Sequence, residues 1–199
     1  MKVLEREFFN VSRSDEFTIL PIGDIHLGAA ACDEQRFRDT VARVHGDDRC
    51  WWIGMGDYAD FINRSDPRFH PGVLADWIKM ADLADLSRAQ RDRFLDIIQP
   101  IAAKCLALVS GNHETAIVKH YERDIYHEIV TGVKALGGFE DDYPLAIGYT
   151  GWLNLTFYRS DKRQRGRKVK INLHHGYGGG RLAGAKALNL QRRMAFHKA

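Results

Sequence analysis

Leu106-Ala107-Leu108-Val109-Ser110-Gly111-Asn112-His113-Glu114 sets the pattern for the whole chain. Four apolar residues are too short a run for a helix, and they end abruptly on a polar cluster, so they read as a buried strand running into a turn. Upstream, Phe17-Thr18-Ile19-Leu20 and Trp51-Trp52-Ile53 read the same way. Helical patterns separate the runs: one near Asp33 to Val44, a long region over about Gly72 to Ala103, and another near Tyr121 to Leu136. Strand-helix-strand-helix order points to an α/β fold with a largely buried sheet. Pro21 lies at the end of the first run, where a lost ladder donor is tolerated. From about Tyr143 the texture changes. Leu145 to Tyr158 is rich in β-branched and aromatic residues, and Val169-Lys170-Ile171-Asn172-Leu173 follows a basic turn, which predicts antiparallel strands joined through residues 160–166. A glycine-rich turn then leads into a helix from about Leu182 nearly to the end.

The 199 residues suit one domain with a sizeable core. With 45% hydrophobic and 28% charged residues, disorder and fibrous repeats are excluded. The net charge of +3 is too mild to imply a nucleic-acid partner by itself. No apolar run approaches the ~20 residues that span a bilayer, and the Met1–Glu7 start lacks the apolar stretch of a secretion signal. Cys32, Cys50 and Cys105 form neither a disulfide framework nor a zinc pair, so a cytoplasmic protein is expected.

Four apolar runs each end in residues able to bind a metal: Gly23-Asp24-Ile25-His26, Gly54-Met55-Gly56-Asp57, Ser110-Gly111-Asn112-His113-Glu114 and His174-His175-Gly176. Sites in open α/β sheets form beyond the carboxyl ends of the strands, so four strands can deliver carboxylate, imidazole and amide groups to one place. Calcium favours an all-oxygen shell and structural zinc usually takes cysteines. The mixture present suits manganese, iron or zinc with open positions. A carboxylate shared by two such ions makes a clamp that deprotonates water and stabilises in-line displacement at phosphorus. Metal-assisted phosphoester hydrolysis is the chemistry these residues point to.

In residue type, order and strand-end placement, the four clusters resemble the successive motifs of calcineurin-like metallophosphoesterases, over roughly residues 17–199. The resemblance implies a layered α/β sandwich holding two divalent metal ions, manganese favoured. Asp24 and His26 would bind one ion, Asp57 would bridge both, and Asn112 would bind the second with one histidine of the 174–175 pair. His175, directly before the glycine turn, is preferred over His174, although strand alternation cannot be phased well enough to choose. His113 would be the catalytic histidine beside the leaving oxygen, with Glu114 orienting its ring, and a hydroxide generated on the metals would attack phosphorus. The expected activity is that of a phosphatase or phosphodiesterase, with a DNA exo- or endonuclease as the leading specific version.

The family's closing Gly-His-x-His motif does not follow His175. The expectation is therefore a single domain, 1–199, truncated at its C-terminus with the last part of the sheet missing, binding metals weakly and turning over poorly. The alternative is a non-catalytic binding or scaffold protein with an incomplete metal site. Gly176-Tyr177-Gly178-Gly179-Gly180-Arg181 fails both the dinucleotide and P-loop patterns, but can offer backbone N–H groups and Arg181 to a substrate phosphate. Seven Lys/Arg and one Asp lie in Arg159–Lys170, read first as a solvated hairpin tip and second as a contact for a nucleic-acid backbone. His45, His70, His120 and His127 match no motif, and Asp60 is read as a support for its loop rather than a ligand.

Overall fold

The chain opens with a strand, β1 (Lys2–Phe8), in which Leu4 and Arg6 are buried while Val3, Glu5 and Glu7 are exposed. Sequence reading passes over it because one inward position is an arginine. The Arg6 guanidinium is matched by carbonyls, donating through Nε to Leu106 O (2.9 Å), and it also lies over the Tyr143 ring. The computed structural model describes residues 1–63, 66, 69–163, 166–176 and 183–196. After β1 come β2 (Thr18–Ile22), α1 (Glu34–Gly46), β3 (Cys50–Gly54), α2 (Leu86–Ile98) and β4 (Cys105–Val109). The remainder comprises α3 (Asn112–Tyr121), α4 (Ile125–Gly137), β5 (Ala146–Gly148), β6 (Thr150–Phe157), β7 (Arg167–His174) and α5 (Ala183–Phe196).

The strands make two sheets. The first, in the order β2-β3-β4-β5, is parallel throughout. The second has the order β1-β6-β7, with β6 parallel to β1 and antiparallel to β7. The two faces of the parallel sheet bury different partners. Trp52 and Leu108 pack with Val44 of α1, Phe94 and Ile98 of α2 and Ile129 and Val133 of α4. Ile53, Ala107 and Val109 face Leu4, Leu153, Leu155 and Leu173 of the second sheet. The result is a mixed α/β arrangement of helices, parallel sheet and second sheet, compatible with a layered sandwich. Such a parallel sheet is covered on both faces, which is why its strands read as unbroken apolar runs.

The helical expectations need correction at two places. Residues 72–103 are not one long helix: 3₁₀ turns at Pro71–Val73, Met80–Ala84 and Gln99–Lys104 surround α2. The predicted 121–136 helix is α4, started by the Asp124 carboxylate, which accepts from His127 N (2.9 Å). Before it stands a separate helix, α3, which ends where Glu122 turns left-handed (φ 54°). In α5 the side chains of Leu188, Leu190 and Met194 are exposed. Among the described residues no helix is long and apolar enough to cross a membrane.

Candidate metal centre

Parallel pairing brings the carboxyl ends of β2, β3 and β4 to one edge, and β7 ends beside them. The loops after β2 and β3 are tied together by backbone: Asp24 N donates to Gly56 O (3.0 Å), Ile25 N to Asp57 O (2.9 Å) and Asp60 N to Leu27 O (3.0 Å). These bonds hold an unusual backbone. Asp24, His26 and Asp57 all adopt the left-handed region, with φ of 50°, 50° and 51°. Each such residue costs on the order of 1 kcal/mol or more, and the conformation persists only where surroundings over-determine it.

Two glycines let the loops meet. Gly56 (φ 90°) lies so close that an added Cβ would strike the Gly111 backbone and the His175 ring. A Cβ on Gly111 would collide with the Asp57 carboxylate and backbone. The Asp57 carboxylate is thereby buried, at 3% exposure, and its Oδ1 accepts from His113 N (2.9 Å) at the start of α3.

Two donor groups meet at Asp57. Asp24, His26 and Asp57 offer ligand atoms that all lie within 4.8 Å of one another. In the second group, His175 Nε2 lies 3.3 Å from Asp57 Oδ2 and 3.0 Å from Asn112 Oδ1. His175 is anchored by its other ring nitrogen. Its Nδ1 is 2.8 Å from Met55 O, a carbonyl that only accepts, and this contact turns Nε2 toward Asp57 and Asn112. The structure places the two histidines of the pair differently. Leu173 is buried against the inner core, His174 points to the opposite side of β7, and His175 turns inward again. His174 instead accepts from Gly176 N at Nδ1 (2.6 Å) and meets the Tyr149 ring edge-on.

Asp60, set aside in the sequence, belongs to the cluster. Its carboxylate lies 3.5 Å from His26 Nδ1 and 3.8 Å from His113 Nδ1, and its carbonyl oxygen is hydrogen-bonded by the His113 ring. His26, His113 and Asp60 form a second group with metal-ligand potential. Asp60 raises the pKa of His26 by hydrogen bonding, burial opposes this, and the charges of Asp57, Asp60 and Asp24 add to the rise. The signal in the sequence was the spacing from Asp57, but without the left-handed turn at Asp57 that spacing does not say where the side chain goes.

Glu114 is placed differently from expectation. Its carboxylate accepts from the backbone N–H groups of Asp57 (3.0 Å), Gly111 (2.7 Å) and Tyr58 (2.9 Å), so it clamps the β3 and β4 loops rather than orienting the His113 ring. Fully buried, it has a raised pKa, the loss of solvation outweighing the three N–H bonds. Arg181 lies outside the described residues.

A mixed set of carboxylate, imidazole and amide oxygen with no lysine or arginine among the donors fits divalent transition metals. The chain matches no family model, no curated protein and no solved structure.

Proposed function

We propose that this chain is a metal-dependent phosphoester hydrolase of the calcineurin-like metallophosphoesterase type, with two divalent ions, manganese favoured, sharing Asp57. The observation that carries the reading is one buried carboxylate flanked by two donor sets: His26 Nε2 at 3.8 Å with Asp24 beside it, and His175 Nε2 at 3.3 Å with Asn112 beside it. Two divalent cations held there would supply positive charge for the phosphoester oxygens and would make a bound water more acidic.

The protein's own groups have tasks that follow from their contacts. His26, held from its Nδ1 side by Asp60, turns Nε2 toward Asp57. The His113 Nδ1 proton is committed to the Asp60 carbonyl, leaving Nε2 to hold a proton for the departing oxygen. The Asp60 carboxylate, 3.8 Å from that ring, balances the charge when both nitrogens are protonated. Glu114 and the paired loops keep Asp57 in place before any ligand arrives, the preorganisation such sites require.

The test is hydrolysis of an aryl phosphodiester and of DNA by the purified protein with manganese. The expected result is manganese-dependent turnover that falls about 10²-fold or more in His113→Ala with metal binding retained. A protein that binds manganese and leaves aryl phosphodiesters, aryl phosphomonoesters and DNA intact would overturn the hydrolase reading in favour of a binding role.

A further inference from the structure

At the end of the molecule opposite the candidate centre, Arg13, Arg159 and Arg167 line one groove. The guanidinium groups of all three have no hydrogen-bond or ion-pair partner among the described residues. The acidic residue of the groove, Asp15, does not neutralise them. Its carboxylate accepts from Ser12 N (2.8 Å) and is paired with Arg49 (3.2 Å). The floor is apolar: Phe17 and Phe157, with ring centroids 5.1 Å apart, and Val169, 48% exposed on the inward side of β7. The groove volume is about 620 Å³, within the range of small-molecule sites.

We propose that this groove binds a phosphorylated ligand with a planar aromatic part, of mononucleotide size. Guanidinium groups pair with phosphate oxygens through parallel N–H donors and also lie flat on ring faces. Three guanidiniums without internal partners and two phenylalanine rings line one concavity, supplying donors for a phosphate and apolar faces for a ring. An exposed valine and half-buried phenylalanines at the same spot favour a ligand that covers apolar surface over free phosphate. β7 runs from Arg167 at the groove to His174 beside the metal centre, so the two places are roughly 23 Å apart at about 3.3 Å per residue. The site is therefore separate from the candidate metal centre and does not rest on the hydrolase reading.

The experiment is calorimetric titration of the full 199-residue chain with adenosine 5′-monophosphate in excess EDTA, with inorganic phosphate and adenosine as separate arms. Saturable binding of the monophosphate, weaker binding of both fragments, and a loss of about tenfold for each of Arg13→Ala and Arg167→Ala are expected. Both arginines are exposed, and an unchanged melting temperature would show that the variants fold. No saturation at millimolar nucleotide overturns the proposal. So does binding indifferent to the arginines, binding of adenosine as tight as the monophosphate, or binding that appears only with manganese.

Discussion

Glu114 carries the sharpest distinction at the scale of single residues. Removing its carboxylate leaves the N–H groups of Asp57, Tyr58 and Gly111 buried without acceptors, at about 1–3 kcal/mol for each unsatisfied group. Glu114→Ala is therefore expected to lower the unfolding free energy by about 3 kcal/mol or more in urea titrations. Were the residue only a prop for the His113 ring, stability would hold and only turnover would fall. Gly111→Ala should displace Asp57, because the new methyl overlaps its carboxylate; loss of manganese affinity in a protein that still unfolds cooperatively is the expected readout. Asp24, Asp57, Asn112 and His113 were legible as candidates because each lies in the short glycine-containing stretch that follows an apolar run. Asp60 and the choice of His175 were not. Both depend on backbone phase, which left-handed residues and strand alternation fix only once the chain is folded.

The elements themselves are held partly by charge. Glu128 of α4 accepts from Arg123 Nε (2.6 Å) and pairs with Arg91 of α2, and these partners, Arg123 foremost, hold its pKa below the usual carboxylate range. A depressed carboxylate pKa contributes stability above the unfolded-state value of about 4.3, lost as pH falls through the folded value. Glu128→Gln should cost about 1 kcal/mol at pH 7, a modest figure because partial exposure screens the pairs, and the gap from the parent protein should narrow in thermal melts as pH falls below the unfolded-state value. A gap of constant size across that range would contradict the assignment. Element by element, the parallel strands were readable because burial on both faces gives continuous apolar runs. β1 was not, because Lys2, Glu5, Arg6 and Glu7 disguise its alternation and a buried Arg6 is explained by tertiary partners, the Leu106 and Pro144 carbonyls and the Tyr143 ring. The break into 3₁₀ turns around α2 lies where Pro71 and Pro100 occupy first-turn positions, which a coarse helical period overlooks.

Taken whole, the molecule joins a helix-side core to an inter-sheet core, with the candidate metal centre at the edge where strands from both sheets end. Phe94 is fully buried beneath that edge, its ring 4.9 Å from Tyr58, which directly follows Asp57. Phe94→Ala is expected to destabilise the fold by about 3–5 kcal/mol, measurable by chemical denaturation. In the proposed function the donors come from four loops, so bound manganese would couple to folding and should raise the melting temperature by mass action. The most direct measurement is electron paramagnetic resonance during manganese titration of the parent protein and of Asp57→Asn. Two ions per chain with a spin-coupled spectrum, and loss of the coupling in the variant, are predicted for ions that share the Asp57 carboxylate. A single uncoupled ion, or a coupled pair that persists in Asp57→Asn, would contradict the account.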